Sequence, residues 1–73
     1  MNDKERIDEA ASQFPETFGL RGNPNLVFCI NRQYSYANDD GRVKLVVDVL
    51  INGKWLNFSK GTVEEVKAAM IKL

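Results

Sequence analysis

Few side chains in this sequence are suited to chemistry. Histidine, the most common general base and transition-metal ligand, does not occur in the 73 residues. Cys29 has no second thiol for an intramolecular disulfide, and one cysteine is too few for a structural zinc site. No histidine is present to activate Cys29 as a nucleophile. We therefore expect Cys29 to be a buried or half-buried structural thiol, and a lone cysteine favours a reducing, cytoplasmic setting.

Two other short patterns could bind a ligand. Asp39 and Asp40 are adjacent carboxylates, but a calcium site needs six or more oxygens from a spaced loop, so a turn is the better interpretation. Arg21 lies between Gly19 and Gly22, a spacing that can clamp a nucleic-acid backbone but is also typical of an ordinary turn. Neither glycine pattern of a nucleotide-binding loop occurs. We therefore expect no metal site and no cofactor. We also expect no enzymatic activity, because the only groups available for acid–base catalysis are isolated side chains.

Composition predicts one small soluble domain over residues 1–73. A chain of this length buries only about 60% of its unfolded surface, which leaves little room for a deep catalytic cavity. Ten basic and ten acidic side chains give zero net charge, which argues against a strong sequence-independent grip on nucleic acid. No apolar run approaches the roughly 20 residues that span a bilayer, and the N-terminus is charged where a signal peptide must be apolar.

The segment from Val43 to Phe58 has the strongest structural signal. Asn52-Gly53 separates two apolar runs and favours a type I′ hairpin turn, in which both central residues need positive φ. This turn places Leu50 opposite Trp55 and Val47 opposite Phe58. Because side chains alternate between faces, one face should be buried. Its members are Val43, Leu45, Val47, Val49, Ile51, Leu56 and Phe58. The other face should be wet, with Lys44, Val46, Asp48, Leu50, Trp55, Asn57 and Ser59.

Residues 26 to 36 predict a strand that precedes this hairpin. A loop then turns the chain, either the two residues Asp40-Gly41 or the four residues 38–41, and both choices give the same face parity. Phe28 and Ile30 should join the core, and Tyr34 and Tyr36 should lie beside the apolar residues of the next strand. The wet face should receive Cys29, Asn31, Gln33 and Ser35.

Helical patterns flank the predicted strands. The first runs from about Asp3 to Phe14, with Asn2 or Asp3 as its N-cap, and Pro15 should end it. Thr62 and Glu65 fit a capping box at the start of the second helix. The apolar stripes of the two helices are Ile7, Ala10, Ala11 and Phe14, and Val63, Val66, Ala69, Met70 and Leu73. Residues 15–25 should connect the first helix to the sheet, with Phe18 and Leu20 pinned to the core edge.

These elements predict an α+β fold with two layers and the order α-β-β-β-α. The sheet is a three-stranded antiparallel meander, and both helices lie on one face of it. Ile7, Phe14, Val63, Val66 and Met70 should pack against Leu45, Val47, Val49, Leu56 and Phe58.

The uncovered sheet face is the predicted partner-binding site. Trp55, Leu50 and Val46 form an apolar spot there, within a polar rim of Gln33, Asn31, Lys44 and Asn57. The alternative is that Trp55 only shields its cross-strand partner Leu50. A sheet edge also offers pairing with a partner strand or a second copy, as a homodimer. We expect a non-catalytic protein-interaction module, such as an inhibitor or adaptor of a phage or mobile element.

The predicted element order resembles that of double-stranded RNA-binding domains. Ser59-Lys60 followed by a helix with Ala68-Ala69 is similar to the closing segment of that family, although Val63-Glu64-Glu65 stands where the family has lysines. The three-stranded sheet with a helix also resembles integrase arm-binding domains, whose basic sheet face is matched by Lys44 and Lys54. These resemblances imply the alternative function, nucleic-acid binding. The side chains available for it are Lys44, Lys54, Lys60, Arg21 and Arg32, with Trp55 or Tyr36 for stacking.

Overall fold

Residues 2–72 are described by a computed structural model, in which five antiparallel strands and two helices form an α+β fold. The elements are α1 (Asp3–Ala11), β1 (Phe18–Leu20), β2 (Asn23–Ala37), β3 (Val43–Ile51), β4 (Lys54–Gly61), α2 (Val63–Ala69) and β5 (Met70–Ile71). The strand order across the sheet is β4-β3-β2-β1-β5. The predicted fold class is confirmed, and β2, β3 and β4 form the expected meander. The three-stranded sheet was wrong, because β1 and β5 extend it.

The two added strands come from segments predicted to be a connection and a helix end. Phe18 and Leu20 are buried as predicted, but they belong to β1, which turns into β2 at Arg21-Gly22 with Gly22 at φ +88°. Helix α2 stops at Ala69, and Met70 turns extended to pair with Leu20 of β1. The predicted continuation of the helix through Met70 was therefore wrong, and Leu73 lies outside the described residues.

The core lies between the helices and one face of the sheet. Phe18 and Phe28 are fully buried, with ring centroids 6.4 Å apart, and Phe14 lies 5.9 Å from Phe18. Both helices contribute to this one cluster, which confirms that they cover the same face. Its buried members are Ala10, Ala11, Phe14, Phe18, Leu20, Phe28, Leu45, Val47, Val49 and Val66.

The sequence patterns at the two helix starts predicted the N-cap residues correctly. The Asn2 side chain accepts a hydrogen bond from the Glu5 amide at 2.8 Å, and Thr62 and Glu65 form both bonds of the capping box. Helix α1 ends at Ala11, earlier than predicted, although Phe14 is still buried. Within residues 2–72, neither helix has the length and apolarity that a bilayer crossing requires.

The predicted hairpin is present, with Asn52 at φ 52° and Gly53 at φ 78°. Its pairing follows the prediction from Ile51 opposite Lys54 as far as Asp48 opposite Asn57. The register then shifts, because Val47 pairs with Ser59 and Phe58 is the extra residue of a β-bulge.

Strand β4 lies at the edge of the sheet and has little cover. Its first seven residues are exposed, and only Gly61, beside the start of α2, is buried. The predicted burial of Leu56 and Phe58 was wrong, since they are 48% and 44% exposed, and Ile51 is also exposed. The physical reason is that the helices cover the middle of the sheet and leave this edge open.

Candidate functional site

The sheet face opposite the helices contains a shallow groove with a volume of about 630 Å³. We call it the open-face groove, and its lining residues are Asn31, Tyr34, Tyr36, Val46, Asp48, Trp55, Asn57, Ser59 and Lys60. Tyr34 is 67% exposed and Trp55 is 44% exposed, and Tyr36 is exposed to a similar extent. Three aromatic rings therefore surround one depression on a surface that contacts water.

The groove brings together four of the seven side chains predicted as the partner site. Trp55, Asn31 and Asn57 line it as expected. Val46 also lines it but is buried, so it belongs to the floor rather than to an exposed apolar spot. Leu50 pairs with Trp55 as predicted, but it is half-buried and outside the groove lining.

The other two predicted residues lie elsewhere. Gln33 lines a separate depression beside α1, next to Lys4 and Asp8. The Nζ atom of Lys44 lies 3.8 Å from Oε1 of Glu65, at the start of α2. Face parity predicts both residues on the groove rim. Gln33 lies within the irregular part of β2, where alternation fails, whereas the Lys44 ammonium extends toward the start of α2.

Tyr34 and Tyr36 are groove residues that the sequence interpretation placed on the wrong face. The loop between β2 and β3 contains five residues, 38–42, closed by a hydrogen bond from the Asn38 amide to the Arg42 carbonyl at 2.7 Å. Both predicted loops had an even number of residues. One residue more or fewer moves every side chain to the opposite face, so Tyr36 pairs with Lys44 instead of an apolar residue.

A long bulge in β2 then restores the predicted parity for the rest of the strand. Between the pairs Asn31–Val46 and Tyr36–Lys44, β2 contains four residues and β3 contains one. Ser35 was predicted on the wet face, but it is only 6% exposed. Its hydroxyl accepts from the Val46 amide at 2.9 Å and donates to the Asn31 carbonyl at 2.7 Å. The serine side chain thus replaces a missing backbone partner, and Tyr34 is displaced toward solvent.

The floor of the groove is polar and carries one acid. Asp48 is 7% exposed, and its Oδ2 accepts a hydrogen bond from Nδ2 of Asn31 at 2.8 Å. The side-chain oxygen Oδ1 of Asn31 accepts a hydrogen bond from the Tyr34 backbone amide at 3.2 Å, so Asn31 connects the floor to the bulge. At the wall, Nζ of Lys60 lies 5.7 Å from the centroid of the Tyr36 ring, a cation–π distance.

Cys29 lies on the floor side of the sheet, paired with Asp48. Burial raises the pKa of its thiol, and the negative charge of Asp48 raises that pKa further. A thiol with a raised pKa is a poor nucleophile at neutral pH. Cys29 is half-buried, one of the two burial states expected for it.

The groups that line the groove can donate and accept hydrogen bonds. Its polar groups are amides, hydroxyls, one ammonium and one carboxylate that is engaged by Asn31. In the described part of the chain, no group of three or more Cys, Asp or Glu side chains is placed to hold a metal ion. Rings with neighbouring hydrogen-bonding groups are typical of surfaces that recognise another molecule.

Comparison of the chain with protein-family models, with curated proteins and with solved structures gave no match.

Proposed function

We propose that this chain is a non-catalytic protein-interaction module that binds an extended segment of a partner protein in the open-face groove. The observation that carries the proposal is the convergence of Tyr34, Tyr36 and Trp55 on one depression. Tyrosine and tryptophan are enriched at binding hot spots because they offer a large contact area at a small entropic cost.

The groove suits an extended segment better than a helix. Its volume of about 630 Å³ is spread over an open sheet face, which offers no deep channel for a helix. An extended peptide has backbone amides and carbonyls that need partners. Asn57, Ser59 and the tyrosine hydroxyls supply both donors and acceptors beside the rings.

Nucleic-acid binding remains the second candidate, and the position of Lys60 favours it. An ammonium beside Tyr36, with two further rings nearby, could contact a phosphate while bases stack. The Asp48 carboxylate in the floor and the zero net charge oppose it, because a phosphate backbone is attracted by concentrated positive charge.

A peptide-display selection tests the proposal. Random peptides would be selected on the wild-type chain and then measured against Tyr34→Ala and Trp55→Ala. We expect each substitution to weaken binding at least about tenfold, which corresponds to about 1.4 kcal/mol. Ile51→Ala is the control, because Ile51 is an exposed apolar residue on the opposite face.

Two results would overturn the proposal. One is that no selected peptide distinguishes the wild type from the two groove variants. The other is that single-stranded DNA or RNA binds at low salt and depends on Trp55 and Lys60, which would establish the second candidate instead.

A further inference from the structure

Strand β4 exposes apolar side chains on both faces at the edge of the sheet. Leu56 and Phe58 lie on the helix side, where Phe58 packs edge-to-face on Phe28 with ring centroids 4.9 Å apart. Trp55 lies on the opposite side, in the open-face groove. Among the described strands, β4 pairs only with β3, so its outer backbone groups have no strand partner.

We propose that two copies of the chain pair through β4 as an antiparallel, two-fold symmetric dimer with Leu56 at the axis. The pairing would join two five-stranded sheets into one. This inference goes beyond the groove proposal because it concerns a different partner; the groove is lined by the side chains of Trp55 and Asn57, whereas the dimer uses their backbone groups at the edge.

The hairpin determines which residues can bond outward. In a two-residue hairpin the residues beside the turn, Ile51 and Lys54, form a hydrogen-bonded pair, and bonded and non-bonded pairs alternate from there. Lys54 and Leu56 therefore direct their backbone groups toward β3. Trp55 and Asn57 direct theirs toward the open edge, where a second strand would bind.

Charge disfavours one of the registers in which the two copies could pair. A two-fold axis at Asn57 would place Lys54 of one copy opposite Lys60 of the other, and like charges in that position are destabilising. An axis at Leu56 places Trp55 opposite Asn57 and Lys54 opposite Phe58, with no like-charge pair. The bulge at Phe58 ends the regular part of β4 at Asn57, so this register pairs the regular residues 55–57 with one another and places Lys54 opposite the bulged residue.

In this register a second copy covers the β4 edge better than a peptide bound in the groove. An antiparallel pair has its two-fold axis perpendicular to the sheet, so both helix layers lie on one side and both grooves on the other. Leu56 then meets its symmetry mate between the two helix layers, beside exposed Phe58 and Ile51. A peptide in the groove would cover the open side alone. A second copy covers the edge and the helix side, and zero net charge adds no long-range repulsion.

Sedimentation equilibrium over a range of concentrations tests the dimer. We expect reversible, micromolar self-association of the wild type, because pairing along one short strand edge forms an interface at the small end of specific ones. Leu56→Lys places two like charges at the axis and should raise the dissociation constant at least about tenfold. Gln33→Lys adds the same charge at an exposed site away from β4 and should leave it unchanged.

Disulfide trapping tests the register in folded protein. In a Cys29→Ser background, Leu56→Cys places two thiols in a non-hydrogen-bonded pair, whose Cα atoms are about 4.5 Å apart and within disulfide range. Asn57→Cys places them on a diagonal, about 7–8 Å apart. We expect oxidation to link the first variant much faster than the second. A wild type that stays monomeric, or faster linking through Asn57→Cys, would overturn the proposal.

Discussion

Ser35 is the residue on which the shape of the open-face groove depends most. Its hydroxyl connects the Val46 amide of β3 to the Asn31 carbonyl of β2 where the backbone ladder is interrupted. The bulge that it closes is the reason that Tyr34 projects toward solvent and that Asn31 can reach Asp48. This one buried hydroxyl thus helps to position both Tyr34 in the groove wall and Asn31 in the groove floor.

Ser35→Ala should destabilise the fold. The substitution leaves the buried Val46 amide without its acceptor, which costs about 1–3 kcal/mol in the free energy of unfolding. Urea denaturation measures the loss. Ser59→Ala, at an exposed position, is the control and should change stability by no more than about 0.5 kcal/mol. Equal effects of the two substitutions would contradict the role given to Ser35.

The Cys29 thiol should react slowly with iodoacetamide in the folded chain. Burial and the Asp48 charge raise its pKa, so the pH midpoint of alkylation should lie above that of the unfolded chain in denaturant. Asp48→Asn should lower the midpoint only in part, because burial is the larger cause. A midpoint that equals that of the unfolded chain would show that the floor is open to water.

At the scale of elements, signals confined to a few neighbouring residues predicted the structure well. Asn52-Gly53 gave the hairpin, its turn conformation and its register as far as Asp48. Thr62 and Glu65 gave the start of α2. These features depend on local backbone conformation and local hydrogen bonds, which the residue types determine directly.

Features that depend on the exact number of residues in a loop, or on packing between distant segments, were not predictable. The face of Tyr34 and Tyr36 depended on whether the loop had an even or an odd number of residues, and the sequence allowed both. The exposure of Leu56 and Phe58 depended on where the helices lie across the sheet. Strands β1 and β5 have three and two residues, too few to show an alternating pattern.

The capping box of α2 should contribute measurably to stability. Thr62→Ala removes the acceptor of the Glu65 amide and should cost about 0.5–2 kcal/mol in the free energy of unfolding. Thermal denaturation followed by circular dichroism measures it. Thr62→Ser, which keeps the hydroxyl, should retain most of the stability, and an equal loss in both variants would argue against a capping role.

The same box makes stability depend on pH. The hydrogen bonds with Thr62, first through its backbone and then through its side chain, lower the pKa of Glu65, and the Lys44 charge lowers it further. The stabilisation from ionised Glu65 is therefore complete above the ordinary glutamate pKa and is lost as pH falls through the lowered value. Glu65→Gln should flatten this part of the stability profile, and an unchanged acid limb would contradict the assignment.

For the whole molecule, the asymmetry of the sheet connects fold and function. The helices cover the face that bears Phe28, Leu45 and Val47, and they leave the opposite face and the β4 edge uncovered. A small chain that exposes three aromatic rings on one surface and apolar side chains on an edge strand has two sites for contact, which adjoin at Trp55 and Asn57. The first is proposed for a partner segment and the second for a copy of the chain.

The proposed function depends on binding of partner segments to the open face. Amide chemical-shift mapping of the ¹⁵N-labelled chain during titration with a display-selected peptide tests it most directly. We expect the largest shifts at Asn31, Tyr34, Trp55 and Asn57, with little change in α1 and α2. Shifts concentrated in the helices, or on the helix side of β4, would contradict it.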